Sequence, residues 1–311
     1  LVLGSVGALR AETSTLGLEP IWTLNLPLLI QNDWALLLGV LLGILNSYKK
    51  FDLISKLANR CGQISLFFLN RIFVPALPLF IFGFILKLSY DGLIFEIVKG
   101  NLVSVLSIVL VVMSYLVLLY GVAAKGSWPQ FSFYLKNMFP PALTAFSTMS
   151  SAATLPLSIQ AAEKNADHPD AARAIIPATV NIHLVGDSIS IPMMAIMILH
   201  SFGMEFPAFT SYLIFAFYFV LSKFAVAGVP GGGILVMVPI LEKYLGFTAE
   251  MSALITAFYI LLDPLITTAN VFGNNIFCVL FSKGMSLLSP SLIRQKFNST
   301  RQGISETNPI K

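Results

Sequence analysis

Asp263 is the sole charged residue between Met251 and Ser282, inside the stretch Tyr-Ile-Leu-Leu-Asp-Pro-Leu-Ile-Thr-Thr-Ala-Asn-Val-Phe-Gly-Asn-Asn at residues 259–275. A carboxylate placed in hydrocarbon costs about 2.5–3.5 kcal/mol on insertion scales, so it calls for an ion, an ammonium group or backbone dipoles, and by default it marks a ligand site or pathway. The other reading is that Asp263 pins two helices together or faces a water crevice. Pro264, Thr267, Thr268, Asn270 and Asn274 surround it with an expected helix break and polar atoms. A second isolated acid, Asp187, follows Asn181 in another apolar stretch. Each of these stretches comes after an apolar run interrupted by residues that free backbone groups: Ser147-Thr-Met-Ser-Ser-Ala-Ala-Thr-Leu-Pro156, and Gly228-Val-Pro-Gly-Gly-Gly233.

Such a site needs membrane helices to hold it, and the composition supplies them. Of 311 residues, 56% are hydrophobic and 11% charged, against roughly 25% charged in soluble domains, and the mean hydropathy is +0.82. The chain reads as a multi-pass integral membrane protein in contact with lipid. Its net charge of +4 comes from short loops and the tail, as orientation signals do, which excludes nucleic acid as the expected partner. Cys61 and Cys278 lie in or beside apolar segments and are expected to be inert core thiols, neither a disulfide framework nor a metal site. The chain opens at Leu1 without an initiator Met or a complete signal peptide, which reads as a start inside a longer protein with N-terminal helices missing.

A span needs about 20 apolar residues. Asn101–Ala124 is the cleanest, free of charge. Trp34–Tyr48, Ile64–Leu88, Ala174–Met204, Phe206–Ser222, Phe224–Leu241 and Met251–Ser282 are the others. The stretches 137–162 and 224–241 are interrupted at depth. Non-helical backbone at that depth is tolerated only where protein or a cavity covers it, which argues for re-entrant hairpins, the alternative being an ordinary span with a Pro/Gly kink. Interruptions at corresponding places in two halves point to a secondary transporter's site, where half-helix N-termini hold an anionic group and unwound carbonyls a cation. With both hairpins returning to the side they left, Lys49, Lys50, Lys125, Lys136, Lys164, Arg173, Lys283 and the basic tail share one side, against Lys87, Lys99 and Lys243 on the other. That is the asymmetry of a cytoplasmic face. An enzyme with Ser150 or Ser151 as nucleophile and His183 as base lacks a nucleophile elbow or a metal pair, so no enzyme is expected. A gated ion or anion channel would need a ring of charges that the sequence does not show.

These residues resemble the dicarboxylate/amino acid:cation symporters, the glutamate/aspartate transporter family. Ala145–Pro156 looks like the family's serine-rich first tip, Ala227–Gly233 like its second, and Ile260–Asn270 like its last helix. The resemblance covers roughly Trp34–Lys283. It implies an all-α membrane fold with two re-entrant helical hairpins and inverted repeats, in a homotrimer of the cell (inner) membrane. Residues 1–63 would be a scaffold remnant and 64–124 two helices at the scaffold boundary. The transport domain would fill 125–285, with hairpin 128–164, helix 174–204, hairpin 206–243 and final helix 251–283, and 286–311 would be a cytoplasmic tail.

The resemblance also implies roles. Asp263 would accept a substrate amino group, and Asn270 with the backbone at Ser150 and Ser151 would hold its main-chain carboxylate. Thr154, Val229, Pro230, Gly231, Ile266 and Thr267 would line the cavity. Asn181, Gly228, Asn270 and Asn274 would contact the cation. No resident cofactor is implied, only co-transported Na+ or H+. Two departures bear on the substrate. The arginine that carriers of acidic amino acids present to the side-chain carboxylate is here Ile266 on the last helix, and Met149 at the first tip. Losing a bidentate cationic fork favours a neutral substrate over an acidic one or a dicarboxylate. The family's cation-ligating aspartate becomes Asn274, and its Asn-Met-Asp-Gly-Thr stretch survives only as Asn181-Ile-His-Leu-Val-Gly-Asp-Ser188. Fewer sodium ions, or protons, would then drive transport, with His183 either relaying protons or packed and hydrogen-bonded. The expected function is symport of an amino acid or dicarboxylate by alternating access, with a channel or a degenerate non-transporting homologue as alternatives.

Overall fold

The computed structural model describes residues 32–49, 51–68, 94–226 and 228–288, with scattered positions between 71 and 90. The expected span Ile64–Leu88 lies largely outside the described residues, as do the first 31 residues and the tail beyond 288. Everything described is helix or short connection. The elements are α1 (Asn32–Tyr48), α2 (Asp52–Phe68), α3 (Ile94–Ala123), α4 (Trp128–Thr148), α5 (Ser151–Asn165), α6 (Pro169–Thr179), α7 (Val185–Ser201), α8 (Phe209–Ser222), α9 (Gly232–Leu245) and α10 (Ala249–Leu288).

Local chemistry explains most of the boundaries. Prolines open α4 and α6, where the missing N–H costs nothing. Glycines in the left-handed region follow α7 and close α9, Gly203 at φ 68° and Gly246 at φ 70°. α4 ends on a non-glycine in that region, Met149 at φ 50°. Pro140 and Pro141 do not interrupt α4, and Pro156 does not interrupt α5. The first break is confined to Met149 and Ser150.

Two expectations about helix continuity are corrected. Ala174–Met204 is not one helix: α6 stops at Thr179 and α7 restarts at Val185. The Ile182 and His183 amides both return to the Thr179 carbonyl, at 2.9 and 2.8 Å, which turns the chain at Asn181. Pro264, in contrast, breaks nothing. α10 runs through it for 40 residues, and the Thr268 hydroxyl donates to the Pro264 carbonyl at 2.7 Å. In a membrane-type helix, neighbouring helices and Ser/Thr side chains re-satisfy the backbone groups that proline frees. The thiol expectation holds for Cys278, which is buried, but Cys61 is exposed.

α10 is the axis of the bundle, packed against α3, α4, α5, α6, α7 and α9. Consecutive helices α4 and α5 pack as one pair and α8 and α9 as another. Among the described residues two helices are long and apolar enough to cross a membrane, and they differ in burial: the apolar span of α10 lies mostly inside the protein, that of α3 mostly on its surface. Leu102, Leu106, Leu110, Val117 and Leu118 of α3 point outward, as do Leu38, Leu41 and Leu45 of α1. An apolar surface of that extent calls for lipid or protein cover.

Candidate functional site

The two helix pairs meet at their tips. Ser150 caps α5 by accepting the Ala153 amide at 3.2 Å, and its own hydroxyl donates to the Gly228 carbonyl at 2.6 Å. The Ala152 amide reaches the same carbonyl at 3.3 Å. Gly228 is a glycine because of this approach: a Cβ there would lie 2.8 Å from Asn181 Oδ1 and 3.0 Å from the Ala152 nitrogen. Three elements that are remote in sequence therefore touch at one point: the first tip, the second tip and the α6–α7 break.

The second tip then turns onto α10. The Gly232 amide donates to the Val229 carbonyl at 2.9 Å, which makes a turn at Pro230 and puts Gly231 at φ 70°. Its N–H donates to Asp263 Oδ2 at 2.8 Å. The other carboxylate oxygen accepts the Thr267 hydroxyl, one helical turn on, at 2.7 Å. Asp263 is buried, with its charge met by dipoles. Each oxygen keeps acceptor capacity for an ammonium group.

The structure thus gathers Ser150, Gly228, Val229, Pro230, Gly231, Asp263 and Thr267. The remaining sequence-derived positions are placed less simply. Ser151 and Thr154 are buried on α5, and the Thr154 hydroxyl donates to the Ser150 carbonyl at 2.8 Å. Ile266 is packed into the apolar core and borders an apolar cavity of about 350 Å3 with Ile108, Val112 and Leu116 of α3. Asn270 faces Asp187: its Oδ1 accepts the Asp187 amide and its Nδ2 donates to Asp187 Oδ1, both at 3.3 Å. Asn274 ties α10 to α6, accepting the Thr179 hydroxyl and donating to the Ile176 carbonyl at 3.3 Å.

The donor set suits a hard monovalent cation better than a transition metal. Among the described residues no three His, Cys, Asp or Glu gather, but at the α6–α7 break Asn181 Oδ1 is buried without a hydrogen-bond donor, beside Gly228. An orphaned amide oxygen next to unwound backbone is the kind of ligand such ions take. His183 Nδ1 is also unpartnered, and its ring packs on Phe277 at 4.7 Å between centroids.

One feature escaped the sequence reading. Lys223, in the short 3-10 turn Lys223–Ala225 after α8, is 4% exposed, and its Nζ donates to Asp187 Oδ2 at 3.4 Å. The Tyr259 hydroxyl donates to Asp187 Oδ1 at 2.9 Å. The signal was present: a lone base between two apolar runs needs a lone acid, yet periodicity does not pair residues 36 positions apart.

The model of the sodium:dicarboxylate symporter family matches residues 33–284. A Caenorhabditis elegans protein, glt-4, named as a sodium-dependent excitatory amino acid transporter, is 31% identical over 144 residues, 46% of this chain and 28% of its own. A serine/threonine transporter, SstT, of Acinetobacter baumannii is 24% identical over 172 residues, 55% of this chain and 42% of its own. SstT of Streptococcus thermophilus is 26% identical over 231 residues, 70% of this chain and 53% of its own. The alignments thus span about half or less of the length of these curated relatives.

Proposed function

The chain belongs to the sodium:dicarboxylate symporter family, a family of membrane transporters and not of enzymes, and on that premise we propose that it is a secondary active symporter of a small neutral amino acid. The observation that carries the reading is that the first tip is bonded to the second through Ser150–Gly228 while the second is bonded to Asp263 through Gly231. In this reading α4–α5 and α8–α9 are re-entrant hairpins related by an inverted repeat, and substrate binds between their tips.

Each residue then has a task. Asp263 receives the substrate ammonium in place of the Gly231 amide, so binding and the position of the second tip are linked. The α5 N-terminus at Ser150 and Ser151 offers the substrate carboxylate a positive dipole end, and the Ala152 and Ala153 amides, held here by the Gly228 carbonyl and the Ser150 hydroxyl, become donors to it once the tips part. Thr154 and Thr267 present short polar walls, and Val229, Pro230 and Gly231 form the lid. Asn270 reaches the carboxylate if its hold on Asp187 is released. Sodium is cargo, held by Asn181 Oδ1 and carbonyl oxygen around Gly228, with the carbonyls of Asn270 and Asn274 as further donors. A neutral substrate is supported by the described residues of the site, which include no arginine: Arg173 pairs with Glu163 at 2.5 Å on an exposed surface. The relatives named for serine and threonine transport fit this substrate, whereas the relative named for excitatory amino acid transport does not bear on it in the same direction.

In this reading 125–285 is the moving unit, with 1–63 and 64–124 on the scaffold side and 286–311 as a cytoplasmic tail. Alternating access would carry this unit past the scaffold of a homotrimer in the cell (inner) membrane. The test is uptake of labelled serine, alanine, aspartate and succinate by the intact protein in proteoliposomes, under sodium and proton gradients imposed separately. Serine or alanine uptake driven by sodium is the expected result. Preference for aspartate or succinate would overturn the substrate assignment, drive by protons alone the ion assignment, and no uptake under either gradient the symport itself.

A further inference from the structure

The buried pair Lys223–Asp187 has no task in that scheme, and its construction is unusually complete. Asp187 is 1% exposed and Lys223 4%. One carboxylate oxygen takes the Lys223 ammonium at 3.4 Å, and the other takes the Tyr259 hydroxyl and the Asn270 amide. The ammonium also sits 4.4 Å from the centroid of the Phe219 ring, one turn back on α8. On the remaining side lies Gly233 in the first turn of α9, where an added Cβ would stand 2.7 Å from Asp187 Oδ2. The carboxylate is therefore enclosed by α7, α9, α10 and the turn after α8, with a hydroxyl and an amide donating to one oxygen from α10 and one cation supplied to the other from the arm of α8–α9.

A buried carboxylate calls for dipoles or positive charge, and at Asp187 Oδ2, which takes an ammonium, a hard cation would supply the same charge. We propose that Lys223 is a tethered counter-cation: its ammonium occupies a monovalent-cation position at Asp187, so that the α8–α9 pair carries its own fixed positive charge into the bundle. A protein with an uncharged residue at 223 would need a dissolved cation there. Because Asn270 holds Asp187 by two hydrogen bonds, the tethered charge also positions Asn270. Taken with the proposed symport, on which this last step rests, one coupling ion is replaced by a side chain, and transport through this site needs one dissolved cation fewer.

The experiment is thermal unfolding of purified intact protein in detergent, titrated with sodium chloride or with choline chloride, whose cation is too large to enter. Lys223→Ala should show a saturable rise in Tm with sodium that choline does not reproduce and that exceeds any rise in the parent protein. Adding Asp187→Asn to Lys223→Ala should abolish the extra rise. Equal sodium responses in the parent and Lys223→Ala overturn the proposal. Should Lys223→Ala yield no folded protein without sodium, recovery of folded yield in sodium but not in choline supports the proposal. Recovery only through the added Asp187→Asn makes Lys223 a structural partner and overturns it. These readouts need no transport, so they stand apart from the uptake test. Where uptake is measurable, the Hill coefficient for sodium should rise by about one in Lys223→Ala, a change that a merely structural role would not produce.

Discussion

Gly231 donates its amide to Asp263 Oδ2 at 2.8 Å, so the second tip rests directly on the carboxylate that the sequence singles out. Gly231 can do this because it adopts φ 70°, which a side chain disfavours by about 1–2 kcal/mol. Gly231→Ala is expected to lower stability by about 1 kcal/mol and to weaken substrate binding. Thermal unfolding with and without serine will measure both effects.

Asp263→Asn keeps the shape and can still accept the Gly231 amide, but it removes the charge that an ammonium substrate would meet. A hydrogen bond to a charged group contributes about 1.5–3 kcal/mol, so uptake at low substrate should fall at least tenfold while the gel-filtration profile stays unchanged. Unaltered uptake would remove Asp263 from the site.

Arginine introduced at the two positions that lack it should give opposite results. Met149 is half-buried at the first tip, where Met149→Arg can extend toward the site and raise the ratio of aspartate to serine uptake. Ile266 is 3% exposed in the apolar core. Ile266→Arg strands a charge there, with a stability loss of about 2–4 kcal/mol that lower Tm and expression will report.

Gly186 lies where α7 crosses α10, and a Cβ would overlap the Ile266 carbonyl and press on Ala269 at 3.1 Å. The obstacle is backbone, so the helices themselves must part. Gly186→Ala is expected to cost about 1–3 kcal/mol. Substituting Gly121, which has nothing within 4 Å of an added Cβ, serves as the control in the same unfolding assay.

Lys283 donates to the Ala123 carbonyl at 2.7 Å and so caps the C-terminus of α3 from α10. Lys283→Met keeps the stem and removes the charge from the negative end of the α3 dipole. A loss of about 1 kcal/mol is expected, visible as a lower Tm and as faster amide exchange in the last turn of α3.

Both tips were legible because their causes are local. Serine at 150, proline at 230 and glycine at 231 act on their own backbone, so breaks at 149–150 and 229–231 follow from residue type. The same reasoning failed at Pro264, where the neighbours of α10 keep the helix continuous. It also failed at 180–184, where no glycine or proline announces the turn that splits 174–204. Secondary structure obeys the nearest few residues until packing against other helices outweighs them.

Asp263 and its polar neighbours on one helix face could be read from spacing alone, since 263, 267, 270 and 274 repeat at helical period. Which partner each side chain takes could not. Asn270 reaches Asp187 across 83 positions and Lys223 reaches it across 36, while Ile266, one turn from Asp263, faces α3 and not the tips. Backbone breaks and helix faces depend on covalent neighbours and periodicity, which any single chain displays. The pairing of buried charges depends on which helices stack, and that is set by the summed packing of the whole bundle.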